Sequence, residues 1–93
     1  MFKFSDREPM VEVRPMRAYV LITAKPGTSE EVLKAVKAMR KVKGVKVADS
    51  VYGRFDAVIV IEAKDLKELT KVIYQVIEKN PNVTHTETLI TLF

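Results

Sequence analysis

The segment Tyr52-Gly53-Arg54-Phe55-Asp56 holds the most suggestive side chains of the sequence. Gly53 lets the backbone approach another group closely, and Asp56 places a carboxylate at the mouth of the apolar run Ala57 to Ile61. Gly and Asp also serve ordinary hairpin turns, and on local evidence the turn is the stronger reading. Thr84, Thr86 and Thr88 alternate, which puts three hydroxyls on one strand face, as polar contacts or as plain edge-strand solubility. His85 shares a strand face with Glu87, but it is the chain's one histidine and there is no cysteine, so a metal would need carboxylates for its other ligands. No metal site is expected. Ser50 and the threonines have no base placed beside them by a motif such as G-x-S-x-G, so no catalytic residue is assigned. Lys34, Lys37, Arg40 and Lys41, with Lys43 and Lys46 nearby, form a basic set that can hold phosphates. No aromatics interleave with it to stack bases and no helix-turn-helix is present, so it predicts weak, salt-sensitive association and no specific nucleic acid partner.

These groups are positioned by a chain of 93 residues, 47% hydrophobic and 30% charged, enough for one small domain. Its 16 Lys and Arg against 12 Asp and Glu leave a net charge of +4 with mixed signs throughout, which excludes a disordered polyelectrolyte. Without cysteine there is no disulfide framework, iron–sulfur cluster or thiol nucleophile, and packing must hold the fold. The longest apolar runs, Ala18 to Ile22 and Ala57 to Ile61, are far shorter than the roughly 18 residues of a membrane span. The N-terminus has no apolar signal region, so a cytoplasmic location with no membrane partner is expected. One Gln, two Asn and many Lys and Glu suit a thermophile.

Residues 1–16 lack a period and read as a flexible arm, with Val11 and Val13 able to add a short edge strand. From there the order is β-α-β-β-α-β. Ala18 to Ala24 is a β-branched run ending at Lys25-Pro26-Gly27. Thr28 and Glu31 match a capping box for a helix whose apolar stripe is Val32, Ala35, Val36, Met39 and Val42, closed by Gly44. Val45 to Val51, with Val45, Val47 and Val51 on one face, pairs through the Tyr52–Asp56 turn with Ala57 to Ile61. Asp65 and Glu68 start a second helix with the stripe Leu66, Leu69, Val72, Ile73, Val76 and Ile77, which stops near Asn80-Pro81. Val83 to Leu92 is the last strand.

The two βαβ halves resemble each other, and right-handed crossovers interleave them into an α+β, ferredoxin-like βαββαβ sandwich. Its antiparallel four-stranded sheet has the order 4-1-3-2, with both helices on one face. Strands one and three are apolar on both sides, as central strands are. Two helices cover one face only, so Tyr19, Leu21, Val58 and Val60, or their alternates, would meet water in a monomer. A homodimer joined sheet to sheet is therefore expected.

Arg17 to Leu92 resembles the effector-binding domain, called RAM, of the leucine- and asparagine-responsive (Lrp/AsnC) regulators. The resemblance rests on Ala18 to Thr23, Pro26-Gly27-Thr28-Ser29-Glu30-Glu31, Val51-Tyr52-Gly53-Arg54-Phe55-Asp56 and Thr86-Glu87-Thr88-Leu89-Ile90. Regulators of that family carry an N-terminal helix-turn-helix domain, whereas residues 1–16 alone precede the similar region, which reads as a stand-alone RAM module at 17–93. The resemblance implies an amino-acid effector bound between neighbouring dimers, near Tyr52, Gly53, Arg54, Phe55 and Asp56 and the last strand's Thr86 and Thr88. Asp56 would pair with the ammonium group, while the backbone around Gly53 and the hydroxyls would receive a carboxylate. It also implies a higher, even-numbered oligomer, no cofactor, no enzymatic activity, and pairing with full-length regulators. The competing expectations are a dimeric α+β-barrel oxygenase or isomerase, which needs polar groups between helices and sheet, and an interaction module without a ligand.

Overall fold

The computed structural model describes residues 15–39 and 44–91. The elements are β1 (Met16–Ala24), α1 (Ser29–Ala38), β2 (Val45–Ser50), β3 (Ala57–Ala63), α2 (Leu66–Ile73) and β4 (Val83–Ile90). They form one antiparallel sheet of order β2-β3-β1-β4, the predicted ferredoxin-like order read from its other edge. Val11, Val13, Arg40, Lys41, Val42, Lys43 and Leu92 lie outside the described residues. β1 begins at Met16, which the sequence placed in the arm; it pairs with Ala63 and packs against the core.

The helical stripes decide the layering. Val32 and Val36 of α1 and Leu69, Val72 and Ile73 of α2 join Ala18, Val20, Ile22, Ile59 and Ile61 of the central strands in one cluster. Full burial of one such Ile side chain contributes about 1.5–3 kcal/mol. No polar or charged residue is buried among the described residues. Ala35 and Leu66, assigned to the stripes by spacing, are exposed. Leu66 is the first residue of α2, and Ala35 stands at the margin of its stripe.

Two local expectations part company at the helix starts. Asp65 caps α2, its carboxylate accepting the Glu68 backbone N–H at 2.9 Å. Asp65→Ala is expected to cost about 1 kcal/mol, read as a lower urea midpoint at unchanged slope. An unchanged midpoint would show that water replaces the cap. At α1 the capping box does not form. The Thr28 hydroxyl donates instead to the Lys25 carbonyl at 2.8 Å, within the Lys25–Thr28 turn, and no side chain caps the helix. A hydroxyl held by the preceding turn cannot also accept from the Glu31 N–H in the same geometry.

The predicted face of β2 also changes. Its pairing with β3 shifts register between Val45 and Val47, so Val45 and Ala48 are buried while Val47 is 37% exposed. Such a shift exchanges the faces of the residues beyond it. After Ile73 the helix widens into a π-helical segment, Tyr74–Glu78, with the Lys79 N–H on the Tyr74 carbonyl at 2.9 Å; Val76 and Ile77 stay buried. Gly44 has a positive φ of 77°, as expected, and its carbonyl accepts from the Glu62 N–H. The described part of the helix that Gly44 was to close ends at Ala38.

Candidate functional site

The β2–β3 connection is closed at its base by the Val51 N–H on the Asp56 carbonyl at 3.0 Å. Gly53 carries the φ that others rarely adopt, +146°, and a Cβ there would meet nothing within 4 Å, so conformation rather than crowding selects glycine. Tyr52 is fully exposed at the tip. Arg54 lies over the Phe55 ring, 5.8 Å from its centroid, which gives the loop a local stacking contact.

Asp56 is tied to β1. Its N–H donates to the Ile22 carbonyl at 2.8 Å, and its Oδ2 accepts the Ala24 N–H at 2.9 Å. Just before the start of β3 the carboxylate thus stands in for the missing ladder carbonyl. Its second oxygen, Oδ1, makes no hydrogen bond among the described residues. Sequence reasoning missed Ala24 as the holder of this carboxylate. No local signal could show it, because the two residues are 32 positions apart.

Thr86 and Thr88 are not brought to this carboxylate within one chain. Thr86 pairs with Ile22 and Thr88 with Val20, so both lie on the helix-facing side of the edge strand β4, Thr86 half-buried and Thr88 exposed. β1 stands between them and β3, a separation of two strand spacings, about 10 Å. The Thr84 hydroxyl donates to the Thr23 carbonyl at 3.1 Å. His85 and Glu87 lie on the other, open face, opposite Thr23 and Leu21. No group of three metal-ligating side chains occurs among the described residues.

On that open face the register selects Tyr19, Leu21, Val58 and Val60, flanked by Val47 and by Leu89 at 52% exposure. Its lower margin carries Arg17, whose Nε and Nη2 donate to Glu62 Oε2 at 2.9 and 2.6 Å, with Nη1 3.4 Å from the Tyr19 hydroxyl. The bonds to Tyr19 and Glu62 raise the Arg17 pKa further above its ordinary value. Arg17 is therefore charged at every accessible pH, and this side of the pair adds no pH dependence.

Known proteins share this architecture. A sequence model of the Lrp/AsnC ligand binding domain matches residues 17–92. No curated protein matches. The solved FFRP-DM1 is 32% identical over 83% of this chain and 99% of its own, with a TM-score of 0.75. A hypothetical protein from Pyrococcus horikoshii, PHS023, is 32% identical over 84% of this chain and 90% of its own, with a TM-score of 0.74. A feast or famine regulatory protein from M. tuberculosis, solved in complex with L-methionine, shares the fold at 21% identity and a TM-score of 0.61; 84% of this chain covers 50% of that one. The chain thus spans half the length of that regulator and nearly all of the two smaller proteins. With the sheet order, the hairpin and the matched span in agreement, the chain belongs to the Lrp/AsnC family, whose ligand-binding domain it carries at residues 17–92.

Proposed function

We propose that the protein is a non-enzymatic, homo-oligomeric module that senses an amino acid or a related small metabolite. The observation that carries the reading is the Tyr52–Asp56 loop, which joins an exposed glycine of positive φ to a carboxylate with one oxygen committed to Ala24 and the other without a hydrogen bond among the described residues. An ammonium group suits that second oxygen, and the N–H groups around Gly53 suit a carboxylate. Thr86 and Thr88 complete the site from a second copy, because within one chain β1 separates them from Asp56. The L-methionine held by the M. tuberculosis relative supports the ligand class. A site shared between copies couples the ligand to assembly by mass action.

The assembly we propose is a dimer joined through the open faces, extended to a higher even-numbered oligomer. The same surfaces would admit full-length regulators of the family, and the near-complete match to two proteins of single-domain length supports action as a separate module. The space between helices and sheet argues against a barrel enzyme, because aliphatic side chains such as Val20, Ile22, Ile59 and Leu69 fill it.

Thermal shift with each of the twenty amino acids tests the function. A ligand at 100 times its dissociation constant adds about 2.7 kcal/mol, which raises the midpoint of a domain this size by about 10–20 °C. Asp56→Asn is the informative variant. Asp56→Ala would strand the Ala24 N–H at a cost of about 1–3 kcal/mol, whereas Asn keeps an oxygen for it and removes the charge. Asp56→Asn is expected to abolish the shift at near-normal stability, and Lys37→Ala on the exposed side of α1 to preserve it. Equal losses in the two variants, or no shift with any amino acid, would sink the assignment.

A further inference from the structure

The end of the molecule away from the hairpin holds a groove that the effector site does not use. Two adjoining concavities of about 300 and 390 Å³ share Gly44, Glu62, Ala63 and Lys64. One continues along α2 past Glu68 and Lys71 to Gln75 of the π-helical segment, and the other runs between Pro15 and Lys46 on β2. Gly44 lies so close to β3 that a Cβ would stand 2.6 Å from the Glu62 carbonyl oxygen, so backbone forms this part of the wall. The volumes match the lower range of small-molecule sites.

The groove lining carries three lysines and two glutamates. Lys46, Lys64 and Lys71 are exposed and make no ion pair among the described residues, although Glu68 shares the lining. Glu62 is already held by Arg17. At this pole, where α1 ends and α2 begins, Lys37 and Lys67 add two more cations, and Asp65 is spent on capping α2. The hairpin pole is the reverse: Lys25, Arg54 and Lys79 are outnumbered by Glu30, Glu31, Asp49, Asp56, Glu78 and Glu87. β3 separates the two poles by about 20 Å.

We propose that this groove is a second ligand site, which takes a small anion bearing more than one phosphate. Lys64 and Lys71 line one concavity and Lys46 and Lys64 the other, so the adjoining pair supplies point charges at separate positions, as a phosphate chain requires. The concavity favours a small molecule over a duplex, whose phosphates would spread across the exposed lysines of α1 and α2 alike. α2 flanks the groove, so sheet-to-sheet association through the opposite face leaves that side open. The proposal stands independently of the hairpin reading.

Titration calorimetry with sodium tripolyphosphate at about 50 mM salt tests it. One saturable site per chain is expected, weakening as salt rises. The double variant Lys64→Ala with Lys71→Ala is expected to lose affinity by about tenfold or more. Lys25→Ala with Lys34→Ala removes the same charge elsewhere and is expected to lose less than about threefold. Asp56→Asn is expected to leave tripolyphosphate binding intact, which separates this site from the effector site. Absence of saturable binding, or equal losses in the two double variants, overturns the site. A DNA duplex that binds more tightly than tripolyphosphate, and weakens equally in the Lys64 and Lys71 variant, would make the pole a nucleic-acid surface and overturn the small-ligand assignment.

Discussion

Leu21→Lys is expected to convert the assembly into monomers. Leu21 lies on β1 between Val58 of β3 and Glu87 of β4, within the face that the helices leave uncovered. In a two-fold dimer every such change is made twice, so two ammonium groups would be drawn toward one apolar interface. Burying an unpaired charge costs several kcal/mol, far more than the leucine contacts it replaces. The long Lys side chain reaches water readily in a monomer, so the fold itself tolerates the change. Sedimentation velocity at micromolar concentration should therefore show monomer mass for Leu21→Lys, while wild type and Lys37→Ala sediment as dimers or larger. A Leu21→Lys protein that keeps the wild-type mass would place the subunit contact elsewhere, and a folded wild-type monomer would remove the dimer altogether.

Gly44→Ala is expected to lower stability by about 2–4 kcal/mol, a fall of roughly 10–30 °C in midpoint. Two costs add. The positive φ of 77° disfavours any Cβ, and this Cβ would stand 2.6 Å from the Glu62 carbonyl oxygen. Backbone cannot turn away as a flexible side chain can, so the start of β2 must separate from β3, straining the Glu62 N–H bond to the Gly44 carbonyl. Gly27 supplies the control, having a φ of 82° but nothing within 4 Å of its Cβ position. Gly27→Ala should show the conformational cost alone, about 1 kcal/mol. Denaturant melts that rank the two variants equally would show that the contact with β3 relaxes freely.

The order of elements, the sheet order and the split between central and edge strands were legible in the sequence because they rest on periods of 2 and 3.6, which are local and repeat. The Asp65 cap was legible for the same reason, its acceptor and donor lying three residues apart. The uncovered face followed from counting layers, since β1 and β3 are apolar at successive positions and two helices supply one cover. Tertiary structure decided whatever depends on partners distant in the chain. The Val45/Val47 register shift sends Val47 to the open face, although alternation alone groups it with Val45. The Asp56 carboxylate meets the Ala24 N–H because β1 outruns β3 by the hairpin, which makes the residue structural as well as available for a ligand. The same sheet sets β1 between Asp56 and the β4 threonines, so side chains that read as one site are not brought together within one chain. Lys46 of β2 joins Lys64 and Lys71 at one groove for the same physical reason: folding brings it beside charges that lie far along the chain.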